Sequence, residues 1–237
     1  DVVISSRLRL ARNLAIYPFL SRLAAGQRDA IIEEVREAIK NSNFLRTAYF
    51  IPSTDLSELD RQFLLERHLV SRELIVEEGK SAVAITPDEM VSLMVIEEDH
   101  LRLQVFQSGL NLVETWRIAD EIDSELEKDL DYAFDATLGY LTACPTNVGT
   151  GIRASCMLHL PSLVRTKQVH KVLQALSKLN LAVRGLYGEG TQASGNFFQF
   201  SNQITLGQPE EEIISNLEGV IRQVITHERE AREYLKK

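Results

Sequence analysis

The sequence predicts an α+β fold, with a mainly antiparallel β-sheet flanked by helices. Two observations carry this reading. Between residues 81 and 106, three apolar, β-branched runs follow one another with only turn residues between them, as in a meander. Elsewhere strand-like and helix-like segments alternate without regular strand–helix–strand units, which argues against a doubly wound parallel sheet.

The elements follow in order. Val2-Val3-Ile4 opens an extended segment that leads into Ser5-Ser6-Arg7-Leu8-Arg9. Residues 27–42 place Ile31, Val35, Ala38 and Ile39 on one helical face. A second helix is expected over 55–68, with Leu56, Leu59 and Phe63 at helical spacing and Asp55/Glu58 in the cap-plus-three pattern. The meander strands are Ser81–Thr86, Met90–Glu97 and Leu101–Phe106, with Pro87-Asp88 supplying a turn. A long helix over 110–130 precedes a strand over 138–144. Ile152–Leu160 is the next strand, followed by a helix over 165–180 and strands over 181–186 and 197–206. The last helix starts near Pro209, where Glu210, Glu211 and Glu212 complement the dipole.

The 237 residues suffice for one substantial core, and with no repeat or low-complexity linker a single domain over 1–237 is expected. The first residues lack the pattern of a signal peptide, and the absent initiator Met suggests a processed or truncated chain. No apolar stretch has the length of a membrane span, so no membrane partner is expected. Two cysteines, Cys144 and Cys156, are too few for a disulfide framework and fit a reducing cytoplasm. A net charge of -8 argues against a nucleic-acid partner. Arg nevertheless outnumbers Lys by 18 to 8, a bias expected where guanidinium forks hold oxyanions.

Four segments carry chemistry. In Cys144-Pro145-Thr146-Asn147-Val148-Gly149-Thr150-Gly151-Ile152-Arg153, the glycines would allow backbone N–H groups near an anion, and Arg153 offers planar donors. In Glu97-Glu98-Asp99-His100-Leu101-Arg102, strand alternation would put Glu98, His100 and Arg102 on one face, between a cationic and an anionic substrate. An isolated acidic turn would be the plainer explanation. Arg7 and Arg9 share a strand face, and with Arg12 they also fit a basic patch on an edge strand. The four glycines between Arg184 and Asn196 suit an active-site lid, with Glu189 lodged between two of them; a long hairpin connection has the same composition. No P-loop or protein-kinase motif occurs, so any ATP here is neutralised by arginines.

CPTNVGTGIR closely resembles the signature of the ATP:guanidino phosphotransferases, the phosphagen kinases. SSRLR, EEDHLR, RGLYGEG and Phe200-Ser201-Asn202-Gln203 occur in that family's order over nearly the whole chain. The chain most resembles the bacterial protein-arginine kinase branch. Its arginine block stands at the N-terminus, without the helical N-terminal domain of the metabolic enzymes, and a C-terminal dimerisation domain is also expected to be absent. The resemblance implies the family's catalytic-domain fold, of the glutamine-synthetase/guanido-kinase type. It implies Mg2+ and ATP, and transfer of the γ-phosphoryl group to arginine side chains of proteins. The implied partners include stress-response regulators and the Clp protease system, with the oligomeric state open. Alternatives are a kinase for free arginine or another small guanidino compound, and a weakly catalytic adaptor that binds nucleotide or phosphoarginine.

The resemblance also implies residue roles. Glu98 aligns and deprotonates the guanidinium, Cys144 lies beside it, and Glu189 approaches from the lid. Arg7, Arg9, Arg102 and Arg153 cradle the phosphates. Ser5, Ser6, Leu8, His68, Ala154, Ser155, Cys156 and Met157 belong to nucleotide-contacting segments. So do Arg184, Gly185, Leu186, Tyr187, Gly188 and Glu189. No protein ligand to a metal is expected. Many relatives carry a second lid Glu where this chain has Gln192.

Overall fold

The computed structural model describes residues 1–24, 26–76, 79–177, 180–185 and 194–236. Its chain divides into two compact units interleaved in sequence. The first unit comprises Asp1–Leu8, Gln107–Trp116 and Arg153–Lys237; the second comprises Arg9–Phe106 and Arg117–Ile152. Eight strands form one sheet: β1 (Val3–Arg12), β2 (Tyr49–Pro52), β3 (Ala82–Ile85), β4 (Val91–Val95), β5 (Leu101–Ser108), β8 (Ile152–His159), β9 (Leu181–Gly185) and β10 (Phe197–Asn202). Their order is β2-β3-β4-β5-β1-β8-β10-β9. A small hairpin of β6 (Phe134–Asp135) and β7 (Gly139–Tyr140) stands apart.

In the second unit the predicted meander forms. β3 pairs antiparallel with β4, and β4 with β5, in a register that sets Met94 opposite Arg102 and Leu93 opposite Leu103. β3 and β4 are buried along their whole length, which explains why they read as apolar runs without alternation. β2, which the sequence reading did not assign, pairs with β3. Helix α1 (Gln27–Asn41) buries the predicted face of Ile31, Val35, Ala38 and Ile39.

Helix α2 (Glu58–Glu66) begins at Ser57 and not at Asp55, because Ser53–Asp55 forms a 3-10 turn. The Ser57 hydroxyl accepts the Asp60 N–H at 3.2 Å while the Asp60 carboxylate accepts the Ser57 N–H at 3.0 Å. The expected apolar face is also rotated: Leu64 is buried, whereas Leu59 is 75% and Phe63 53% exposed. Leu64 joins Leu69, Val70, Val83, Ile85 and Met94 in one core cluster. Leu74, from the short helix α3 (Arg72–Val76), completes it.

In the first unit β8, β10 and β9 pair antiparallel. Helix α7 (Glu210–Leu235) packs on this region, burying Ile213, Ile214, Leu217, Ile221 and Val224 at helical spacing. The helix expected over 165–180 starts later, as α6 (Val169–Ser177), and a separate short helix, α5 (Pro161–Arg165), precedes it across Lys167 at φ 59°. The α5 N-terminus is capped by the buried Glu228 carboxylate of α7, which accepts the Ser162 N–H at 3.1 Å and the Leu163 N–H at 2.9 Å. Helix α4 (Leu112–Leu126) has the predicted position, whereas of the strand expected over 138–144 only Gly139 and Tyr140 pair as β7.

Candidate active site

The acidic run lies in the turn from β4 to β5. Ile96 takes φ 61°, the Ile96 N–H donates to the His100 carbonyl at 2.8 Å, and the Glu97 N–H to the Asp99 carbonyl at 3.1 Å. This reversal interrupts the strand, so the alternation that would align Glu98, His100 and Arg102 does not apply. His100 is fully buried. Its Nδ1 accepts the Leu14 N–H at 2.9 Å, which leaves Nε2 to donate to the Pro18 carbonyl at 3.1 Å. Burial lowers its pKa, so His100 is a neutral brace.

Glu98 and Arg102 remain together. The Arg102 guanidinium bonds the buried Glu97 carboxylate and reaches Glu98 Oε2 at 3.4 Å. The Glu98 side chain is 40% exposed. Partial burial raises its pKa; Arg102 opposes this, while the charges of Asp99, Glu97 and Glu73 add to it. A carboxylate held in this way is an accessible and strengthened proton acceptor.

Cys144 lies in the same unit, half-buried, with Sγ 3.0 Å from Thr146 Oγ1. Its carbonyl accepts the Thr142 hydroxyl at 2.8 Å and the Asn147 N–H at 3.0 Å. Asp99 joins this loop to the acidic turn: Oδ1 accepts the Ala143 N–H and Asn13 Nδ2–H, each at 2.6 Å. The Asn13 amide also reaches the Leu141 carbonyl at 3.0 Å, and its Oδ1 accepts the His100 N–H at 2.9 Å.

The loop glycines serve the chain's own packing. The Gly149 N–H donates to the Tyr140 carbonyl at 3.3 Å, and the Gly151 carbonyl accepts the Ala11 N–H at 3.0 Å. Gly151 has φ 65°, and a Cβ there would come within 2.7 Å of the Ala11 carbonyl oxygen. Arg12 is likewise architectural and does not belong to a surface patch. It is buried, donates twice to Asp123 Oδ2 (2.7 and 3.0 Å), and stacks 3.5 Å from the Tyr140 ring centre.

The predicted nucleotide residues divide by strand face. On β1, Ser5, Arg7 and Arg9 are half-buried whereas Ser6 and Leu8 point into the core. The Ser6 hydroxyl donates to the Gly109 carbonyl at 2.8 Å and accepts the Asn111 N–H at 3.0 Å. On β8, Arg153 and Met157 are half-buried, and Ala154, Ser155 and Cys156 are buried. Burial pushes the Cys156 thiol up to about 12, so it is an inert packing residue. The Ala154 N–H donates to Asn202 Oδ1 at 2.8 Å, and the Ser155 hydroxyl to the Arg7 carbonyl at 3.4 Å. Any ligand contact from Ser6, Leu8, Ala154 or Cys156 is therefore through main chain. Arg184 is exposed on β9 opposite Gln199, and Gly185 ends that strand. His68 is exposed after α2 with φ 60°, its carbonyl fixed by Gln104 Nε2–H at 2.7 Å. Gln104 lies two residues along β5 from Arg102. Leu186, Tyr187, Gly188, Glu189 and Gln192 lie outside the described residues.

An α+β fold carrying a carboxylate–arginine turn and a cysteine loop is the equipment of a guanidino phosphotransferase. The chain belongs to the ATP:guanido phosphotransferase family, whose C-terminal catalytic domain matches residues 30–231. Relatives named protein-arginine kinase, from Moorella thermoacetica and Brevibacillus brevis, are 52% and 51% identical. The matches cover 100% and 99% of this chain, and 69% and 66% of those proteins, so the chain spans about two thirds of their length. Among solved structures, the duplicated taurocyamine kinase from Schistosoma mansoni with bound transition-state-analogue components matches with TM-score 0.87 and 27% identity, over 98% of this chain and 34% of that one. Lombricine kinase matches with TM-score 0.83 at 23% identity, over 96% of this chain and 66% of its own, a likeness of fold.

Proposed function

We propose that the chain is a protein-arginine kinase in which both units act as one catalytic domain. The observation that carries this reading is Glu98, an accessible carboxylate with a raised pKa beside Arg102, in the same bonded network as the Cys144 loop. The relatives of about half-identity named protein-arginine kinase support the choice of protein as acceptor.

The chemistry follows from the acceptor. A guanidinium is protonated at neutral pH, with a pKa above about 12, and has no lone pair for attack. Glu98 orients it and takes one proton as the N–P bond forms and the bond from phosphorus to the bridging oxygen of the departing ADP breaks. Cys144 contacts the same guanidinium from its loop, and Glu189, outside the described residues, is the second carboxylate that the resemblance assigns to it. Arg7, Arg9, Arg102 and Arg153 neutralise the phosphates through charge-assisted bonds. Their presence on or next to strands fits a polyphosphate ligand without a P-loop. Mg2+ bound with ATP would supply further charge neutralisation, with no side chain of this chain proposed as its ligand. Arg102 is engaged by Glu97 and Glu98, so phosphate binding exchanges one set of anions for another.

The resemblance to the bacterial branch further supports a cytoplasmic setting, with stress-response regulators and the Clp protease system among the substrates. The test is direct: incubate the chain with Mg-ATP and either a protein mixture or free arginine, then assay acid-labile phosphoarginine. Label on protein is expected. Label on free arginine alone overturns the protein-kinase reading, and label on neither favours an adaptor.

A further inference from the structure

Asp99 is the member of the acidic turn that the proposed chemistry leaves unused. It is buried, yet among the described residues it accepts hydrogen bonds only from neutral N–H groups, those of Asn13 and Ala143. Glu97, by contrast, bonds the Arg102 guanidinium.

Its neighbours in sequence show what this tie joins. Asp99 follows Glu98 in the chain, and Ala143 precedes Cys144. A single 2.6 Å bond therefore links positions one residue away from the proposed base and one residue away from the sulfur. The Asn13 amide reinforces it by bonding Asp99 and the Leu141 carbonyl together.

We propose that Asp99 is a positioning residue that ties the Cys144 loop to the turn carrying Glu98, so that base and sulfur meet one guanidinium at a fixed separation. This rests on the proposed phosphotransfer. Near-attack geometry is steep, and a misplacement of about 1 Å costs on the order of 100-fold in rate.

The experiment uses Asp99→Ala and Asp99→Asn in the full chain, with two readouts: steady-state phosphorylation and the rate of Cys144 alkylation by iodoacetamide. In Asp99→Ala, kcat should fall about 100-fold with KM for ATP nearly unchanged, and Cys144 should alkylate faster as its loop is released. Asp99→Asn keeps an acceptor oxygen in place, so it should recover most of kcat and the parent alkylation rate. The thiol readout needs no turnover, so it stands or falls separately from the proposed activity. A folded Asp99→Ala protein with undiminished kcat overturns the proposal. So does a fall in kcat matched by an equal loss of ATP affinity, or unchanged Cys144 alkylation. Should Asp99→Ala fail to fold, Asp99→Asn decides. Activity as low as that of Glu98→Gln would show that charge and not the tether matters, and overturns the proposal; retained activity with parent-like thiol reactivity supports it.

Discussion

The Glu98 carboxylate titrates above the ordinary glutamate range because partial burial disfavours its charge and Arg102 offsets this only in part. A general base must be ionised, so kcat/KM should rise as pH rises through this pKa. Glu73 is one of the anions that hold the pKa up. Glu73→Gln should therefore move the acid limb of the kcat/KM profile to lower pH; an unmoved limb, or one moved upward, contradicts the assignment. At this scale the nearness of Glu98 and Arg102 was legible, because their motif fixes residue type and order. The parts played by Asp99 and His100 were not. They depend on the Ile96 reversal at φ 61°, which a β-branched residue gives no reason to expect. A glycine announces close approach without saying of what, and here Gly149 and Gly151 approach the chain's own backbone at Tyr140 and Ala11.

Among the elements, α1 and α7 were legible because a 3.6-residue spacing of aliphatic residues leaves few alternatives. The separate α5 and the later start of α6 were hidden, since it is the backbone at Lys167, φ 59°, that parts them. The α5 N-terminus is held from some sixty residues away in sequence, by the Glu228 carboxylate that accepts its N–H groups. Glu228 also accepts from Arg232 Nε at 2.9 Å. Glu228→Ala leaves two buried N–H donors without their acceptor and leaves Arg232 with Asp1 as its remaining acidic partner, so it should destabilise the fold by about 3 kcal/mol, read as a lower urea midpoint. Glu228→Gln keeps an acceptor oxygen and should cost less. Equal stability of the alanine variant and the parent would contradict the capping role.

For the whole molecule, the interleaving of the two units is what a linear reading cannot see. The first unit closes only when its N-terminal segment meets residues beyond 153: the His159 N–H donates to the Val2 carbonyl at 2.9 Å, and the Ser6 hydroxyl sits 3.6 Å from Cys156 Sγ. Residues 153–237 expressed alone should therefore lack cooperative unfolding in circular dichroism, and a sharp thermal transition in that fragment would refute this. The measurement that tests the central claim most directly is phosphoarginine formation on protein by Glu98→Gln, compared with the parent in Mg-ATP and scored only where circular dichroism and nucleotide binding match. Loss of product with fold and ATP binding intact is the predicted result. Normal phosphoarginine formation by that folded variant would remove Glu98 as the base and contradict the mechanism.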